Sequence, residues 1–265
     1  MDRLDKLKIL KSANELRTEL ITDLGLEFPF DLENVLEILG INYSDIPLDE
    51  DLDGKIKIDS DEIRIFTNSE ILYESRKRFT IGHELGHWKI HFCDNPYQTI
   101  KCKAKDLGFF NEKKSPLEYE ADLFASEFLL PTDIFIKETG RLLPSMKSLE
   151  SLSEKYKTSL TATAIKFIEL TQEPCALVLM SNKNIKWKIP SRSFPHTIKD
   201  NITDCYCFDM LEEGKNSIRD SLYVSNWTYT KSLQYIYEDV RNFSNLNQQL
   251  IILSLYDESY YKSNW

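Results

Sequence analysis

Two histidines four residues apart, His83 and His87, form the pattern with the clearest chemical meaning in this chain. On an α-helix, residues i and i+4 lie on the same face, so both imidazoles can point at one metal ion. Glu84, next to the first histidine, is placed to take a proton from a water bound to that metal. Zinc lowers the pKa of such a water to about 7, so the pattern predicts a catalytic zinc site.

The surroundings of this pattern favour a buried site over a chance match. Apolar residues flank the histidines at helical spacing, as expected for a helix beneath an active site: Phe79, Ile81, Leu85, Trp88 and Ile90. Three of the four histidines of the chain lie within residues 83–91. The segment is therefore predicted to be the active-site helix.

A catalytic zinc usually takes three protein ligands, which leaves one position for water. His91 lies eight residues after His83, or about 12 Å along a helix axis, and no glycine interrupts the helix after His87. His91 is therefore predicted to contact a metal ligand from the outside or to lie at the end of the helix, and not to bind the metal itself.

A second helical pattern, which ends at Pro131, carries two acidic residues four positions apart, Glu118 and Asp122. This spacing lets Glu118 bind the metal while Asp122 accepts a hydrogen bond from the far nitrogen of a ligating histidine. Glu120 faces another side of the helix and is the competing ligand. Glu118 is the preferred third ligand.

Taken together, these segments resemble the ImmA/IrrE family of metallo-endopeptidases. The matching stretches are residues 78–87, followed by His91, and residues 118–131. The resemblance implies a gluzincin-like core in which two histidines and Glu118 hold one Zn²⁺ and Glu84 is the base. Family members commonly have Asn at the position of Asp122, and either side chain can hydrogen-bond a histidine.

The resemblance also suggests a substrate, because the best-known members of the family cleave helix-turn-helix transcriptional repressors of bacteria or their mobile elements. The predicted function is therefore a zinc-dependent endopeptidase that cuts such a repressor in a stress or mobile-element switch. Transition-state or substrate contacts are predicted for Tyr97, Tyr119 and Arg78. The other basic residues before the motif, Arg76 and Lys77, are predicted to form a solvated turn.

The fold class predicted is α+β, with a zincin-like core over residues 1–140. Helices are expected over residues 2–24 and from a cap at Asp31 to an end at Gly40. A turn at Asp53-Gly54 then leads into a β-hairpin over residues 55–66. The edge of this hairpin is expected to hold the substrate as an added strand.

The remainder of the chain is predicted to form a helical segment over residues 141–172 and a sheet-rich domain over residues 173–265. Residues 149–167 resemble a helix-turn-helix, which is expected to pack on the core and not to bind DNA. Glu173-Pro174 marks the boundary, and the last domain is expected to regulate the enzyme or recruit its substrate. Its strand-like runs are residues 175–180, 184–189, 205–210, 221–228, 233–242 and 248–256.

The composition narrows the classes of function. A net charge of −10 argues against a general nucleic-acid-binding surface, and no stretch approaches the about 18 apolar residues of a membrane span. Five cysteines and the lack of a signal-peptide pattern favour a cytoplasmic protein. Two alternatives remain: an anti-repressor that binds without cutting, and a DNA-binding regulator with a structural zinc. A structural zinc would need a fourth protein ligand.

Overall fold

The computed structural model describes residues 3–59, 62–92, 99–103, 115–140, 142–202 and 217–255. The chain divides into two compact units, unit 1 (Met1–Thr132 with Lys155–Ser159) and unit 2 (Asp133–Glu154 with Leu160–Trp265). Helices accompany one β-sheet of four strands and one of five, which confirms the predicted α+β class. The predicted domain boundaries at residues 140 and 172 stay predictions.

Unit 1 begins with two helices, α1 (Arg3–Thr22) and α2 (Leu32–Ile38). The Asp31 carboxylate accepts hydrogen bonds from the backbone N–H groups of Glu33 and Asn34, which are among the donors left open at a helix start. Gly40 follows α2 with a φ of +69°, a left-handed conformation that glycine adopts at little cost. Both predicted helices are confirmed.

The sheet of unit 1 contains β1 (Ile41–Ile46), β2 (Leu52–Ile58), β3 (Ile63–Asn68) and β4 (Thr99–Lys103), in the order β1-β3-β2-β4. β2 and β3 form the predicted antiparallel hairpin. β1 pairs with β3 in parallel, and β4 pairs with β2 in antiparallel orientation. The hairpin therefore lies in the middle of the sheet.

Two details of the predicted hairpin are wrong. Asp53-Gly54 is not a turn, because Gly54 lies within β2 and pairs with Thr67 of β3 and with Cys102 of β4. The register of β2 against β4 shifts between Leu52 and Gly54, as at a β-bulge. The hairpin also has no open edge, so a substrate strand added to this sheet would pair with β1 or β4.

Two further helices pack against each other: α3 (Glu74–His91), which also packs against β2 and β3, and α4 (Pro116–Leu129), which also packs against α1. Ser115 caps α4, because its Oγ accepts a hydrogen bond of 3.3 Å from the Glu118 N–H, and Pro116 takes the first helical turn. The core beneath both helices is apolar and includes Leu16, Leu20, Phe30, Leu36, Ile56, Ile65, Leu85, Phe124 and Phe128.

The first turn of α3 is tied to the sheet by two ion pairs. The Arg76 guanidinium donates two hydrogen bonds, of 2.8 and 3.0 Å, to the buried carboxylate of Asp53 on β2. Lys77 Nζ lies 2.6 Å from Asp45 Oδ2 on β1. The predicted turn is wrong, because both residues belong to α3, whereas the Arg76 side chain is 47% exposed and so is solvated as predicted. The opposite charges that bind both side chains are distant in sequence.

Unit 2 contains most of the remaining elements. These are all but the first residue of α5 (Thr132–Thr139), most of α6 (Met146–Tyr156), α7 (Leu160–Leu170), β5 (Cys175–Ser181), β6 (Asn184–Pro190), β7 (Ser217–Tyr223), α8 (Val224–Trp227), β8 (Tyr235–Phe243), a 3₁₀ turn (Ser244–Leu246) and β9 (Gln248–Leu255). The strands form an antiparallel sheet in the order β6-β5-β9-β8-β7, and α7 packs on β5. α6 and α7 are the predicted helix pair, and their likeness to a helix-turn-helix stays a prediction.

Four of the predicted strand runs of unit 2 are confirmed as β5, β6, β8 and β9. The run over residues 221–228 is wrong, because β7 ends at Tyr223 and a short helix follows. Val224 and Trp227 are three positions apart, which puts both on one side of a helical turn, and both are fully buried. The run over residues 205–210 lies outside the described residues.

No helix in the described ranges combines the length and the apolarity that crossing a membrane requires.

Candidate metal centre

The centre forms where α3 and α4 cross at close range. A Cβ atom on Gly86 would lie 3.1 Å from the Cα and carbonyl oxygen of Ala121, and one on Gly82 would lie 3.4 Å from Ala125 Cβ. The two glycines stand one turn apart on α3, so they let the backbones of the helices approach. This close crossing brings the histidines of α3 beside the acidic residues of α4.

Three side chains converge at the crossing: His83, His87 and Glu118. The Nε2 atoms of the two histidines are 3.0 Å apart. Glu118 Oε2 lies 3.0 Å from His83 Nε2, and its Oε1 lies 3.3 Å from His87 Nε2. Both histidines are fully buried, and potential ligand atoms of the three residues all lie within 4.8 Å of one another.

The other ring nitrogen of each histidine is already bonded. His83 Nδ1 lies 2.8 Å from Asp122 Oδ1, and His87 Nδ1 lies 2.9 Å from His91 Nδ1. With a hydrogen on Nδ1, each Nε2 presents a lone pair toward the carboxylate of Glu118. Three electron-pair donors this close together repel one another unless a cation lies between them, so the donor set fits a metal ion.

The protonation states favour the same conclusion. Burial is the main cause that lowers the pKa of His87 to about 4, which makes its imidazole neutral at neutral pH, the form that binds metals. Burial alone would raise the pKa of Glu118, but its close contacts with His83 and His87 outweigh burial and lower this pKa. Glu118 is therefore an ionised carboxylate.

Glu84 lies next to these residues with both carboxylate oxygens buried, and neither has a hydrogen-bond partner in the part of the chain that the structure describes. Burial raises its pKa to about 8, with the negative charge of Glu118 adding to the rise and His83 opposing it. Buried carboxylates are ordinarily hydrogen-bonded, so two unpartnered oxygens mark a group that is kept for a ligand or a water.

Comparison with known proteins identifies the family. A profile of the IrrE N-terminal-like domain matches residues 37–167, which include the whole centre. Over 79 residues, the chain is 36% identical to Metallopeptidase ImmA of Bacillus subtilis (strain 168). The chain belongs to the ImmA/IrrE family. The resemblance drawn from the motifs of α3 and α4 is thereby confirmed, although the alignment spans 40% of the Bacillus protein and 30% of this chain.

A solved structure also shares the fold. The structure titled "Mycobacterium tuberculosis transcriptional regulator" aligns with all of this ImmA/IrrE chain and with 81% of its own, at a TM-score of 0.57. The two sequences are 12% identical, so the likeness concerns the fold alone.

The structure separates the two acidic residues that compete as third ligand in this ImmA/IrrE chain. Glu118 contacts both histidines of the centre, whereas Glu120 Oε2 lies 3.0 Å from His91 Nε2. Among the described residues, the only group with metal-site geometry is His83, His87 and Glu118. The geometry therefore supports Glu118 as the ligand, as predicted.

The predicted substrate contacts have different placements. Arg78 is buried, and its guanidinium donates to the carbonyl oxygens of Phe30, at 3.0 Å, and Lys157, at 3.2 Å. This geometry supports a packing role for Arg78 over a contact with substrate. Tyr119 is exposed, so its contact with substrate stays a prediction, and Tyr97 lies outside the described residues.

The sequence does not reveal that Gly54 belongs to the site, because Asp53-Gly54 has the composition of a turn. A Cβ atom on Gly54 would lie 2.4 Å from Thr80 Cγ2 and 3.1 Å from Glu84 Oε1. The glycine therefore makes room on β2 for the side of α3 that carries Glu84.

Gly54→Ala is expected to destabilise the protein by about 1–3 kcal/mol, as overpacking of a core does, and to displace Glu84. The measurement is the free energy of unfolding in urea. Adding Thr80→Ser removes the methyl group that clashes and keeps the hydroxyl that donates to the Arg76 carbonyl, so it should restore most of the loss. An unchanged free energy for Gly54→Ala would contradict the close approach.

Proposed function

We propose that this protein is a zinc-dependent endopeptidase that cleaves a protein substrate. The observation that supports this most directly is the combination of three metal-ligating side chains with an unpartnered, buried Glu84 beside them. A site with only a structural role would have a fourth protein ligand and no reason to keep such a carboxylate buried. Membership of the ImmA/IrrE family supports the same class of enzyme.

His83, His87 and Glu118 would hold the ion, and Glu84 would serve as the base. A Zn²⁺ ion held there would supply Lewis acidity for activating a water molecule and polarising the peptide carbonyl. A cation at this centre would favour the ionised form of Glu84 despite its burial. In that form Glu84 would take a proton from the attacking water and transfer it to the nitrogen of the leaving amine. Both of its oxygens are available for this because no group among the described residues bonds to them. Asp122 holds the ring of His83 in position through Nδ1.

The substrate we propose is a helix-turn-helix transcriptional repressor, so that cleavage would switch on genes of a stress response or a mobile element. This follows from the family, whose best-known members cut such repressors. Unit 2 would regulate the enzyme or recruit its substrate. Its five-stranded sheet contains none of the residues of the metal centre, all of which belong to unit 1.

The test compares new protein N-termini in cells that express the wild type or Glu84→Gln. Peptides that appear only with the wild type would establish proteolysis and identify both substrate and cleavage site. If both proteins instead form the same stoichiometric complex with a repressor and no new N-terminus appears, the protein acts as an anti-repressor. A salt-sensitive, sequence-specific complex with DNA would indicate a DNA-binding regulator.

A further inference from the structure

His87 is connected to a second carboxylate through a neighbouring imidazole. Its Nδ1 lies 2.9 Å from His91 Nδ1, and His91 Nε2 lies 3.0 Å from Glu120 Oε2. The three residues come from two helices, with both histidines on α3 and the glutamate on α4. The contacts form an unbroken chain from the centre of the metal site to the side of α4.

The hydrogens along this chain can be assigned from one requirement. If His87 Nε2 keeps its lone pair for a metal, the ring hydrogen lies on Nδ1 and is donated to His91 Nδ1. His91 then carries its own hydrogen on Nε2, which it donates to Glu120 Oε2. When the hydrogen bonds run from His87 through His91 to Glu120, every donor meets an acceptor. Glu120 can only accept, so it selects this direction of donation over the reverse one.

The surroundings make these bonds effective. The side chain of His91 is 9% exposed and that of Glu120 is 23% exposed, so water competes little for either bond. In such a setting, hydrogen bonds in series strengthen one another, and a wrong tautomer would leave two lone pairs or two N–H groups in contact. The other ligand, His83, meets a carboxylate directly at Asp122.

We propose that Glu120 and His91 are positioning residues that hold His87 in the tautomer that binds the metal. This rests on the proposed metal site and assigns a role to Glu120, which sequence reasoning treated as a rival ligand. The two ligating histidines would thus be oriented by different means, one by a carboxylate and the other by a carboxylate acting through an imidazole.

The test is a double-mutant cycle on zinc affinity, measured by competition with a chelator in the absence of any substrate. Glu120→Ala and His91→Ala are each expected to weaken zinc binding by about 10-fold to 100-fold, as removal of outer partners of metal ligands does. Because Glu120 acts through His91, adding Glu120→Ala to His91→Ala should change the affinity less than twofold. Glu120→Gln keeps an acceptor oxygen and should lose less than Glu120→Ala.

Two controls separate positioning from general effects. Glu70→Gln removes one exposed negative charge from unit 1 and should leave zinc affinity unchanged. Nitrogen NMR of the metal-free protein should show hydrogen on Nδ1 of His87 in the wild type and a mixture of tautomers in Glu120→Ala, because a bound zinc ion would itself fix the tautomer. Thermal unfolding of the metal-free variants checks that each is folded. If Glu120→Ala is unfolded, Glu120→Gln takes its place in the zinc-affinity measurement.

The outcomes distinguish this proposal from the proposed function. If Glu120→Ala weakens zinc binding equally with and without His91, Glu120 acts by general electrostatics. The proposal that Glu120 positions His87 through His91 is then refuted. Unchanged affinity in both single variants would refute it as well. If the wild type binds no zinc, the metal site itself and the proposed enzyme fail together. If the positioning role of Glu120 and His91 is refuted while the wild type still binds zinc, the proposed peptidase is unaffected.

Discussion

Replacing Glu84 by glutamine is expected to reduce peptide hydrolysis by about 10²–10⁴-fold, the usual contribution of a general base, while zinc remains bound. Glutamine has nearly the same shape but cannot take a proton from water. The carboxylate of Glu84 is not among the atoms that converge on the metal position, so the ligand set of His83, His87 and Glu118 is unchanged.

The measurement pairs the rate of cleavage of the repressor found in cells with the zinc content of the purified protein. Glu70→Gln, which changes the same charge at an exposed position, should cleave at the wild-type rate. A Glu84→Gln protein that still cleaves would show that Glu84 is not the base. A variant that has lost its zinc would instead show that Glu84 contributes to holding the ion.

Glu118→Ala is expected to weaken zinc binding by about 100-fold or more and to remove most of the stabilisation that zinc provides. The Glu118 carboxylate contacts the Nε2 atoms of both histidines, so its loss leaves two protein ligands of three. At a zinc concentration about 100 times the wild-type dissociation constant, binding stabilises the wild type by about 2.7 kcal/mol. A 100-fold weaker site gains about 0.4 kcal/mol at the same concentration.

Thermal unfolding with and without added zinc measures this difference directly. Glu120→Ala is the matched comparison, since it removes the same group two residues along α4. Its expected loss of zinc affinity is smaller, because Glu120 contacts His91 and not the metal position. If Glu120→Ala abolished the zinc-dependent stabilisation while Glu118→Ala kept it, the assignment of the third ligand would be reversed.

Spacing within a single element was enough to predict much of the site. The four-residue interval between His83 and His87 puts both rings on one face of any helix, whatever the rest of the fold does. The same interval relates Glu118 to Asp122, so both were expected to point toward one neighbour. Caps are equally local, which is why the start of α2 at Asp31 was predicted correctly.

Spacing favoured Glu118 over Glu120 because Glu118 shares a helix face with Asp122, but it could not show which of the two carboxylates meets the histidines of α3. Which one does so depends on how α4 crosses α3, and that crossing is set by the contact of Gly86 with Ala121. The crossing puts Glu118 against His83 and His87 and turns Glu120 toward His91. The partner of His91 therefore became visible only in the folded chain.

The errors share the same cause. Asp53-Gly54 has the residues of a turn, but pairing with β3 and β4 on both sides makes it part of a strand. The ion pairs of Arg76 and Lys77 were not predicted because their partners, Asp53 and Asp45, are more than twenty residues away in the sequence.

Residue spacing thus determined which side chains share a face and which chemistry they can perform, because those relations lie within one helix. Long-range packing decided which faces meet, which strands are edges and which carboxylate serves which histidine. Those relations depend on contacts between segments far apart in the chain, whose geometry no local pattern contains.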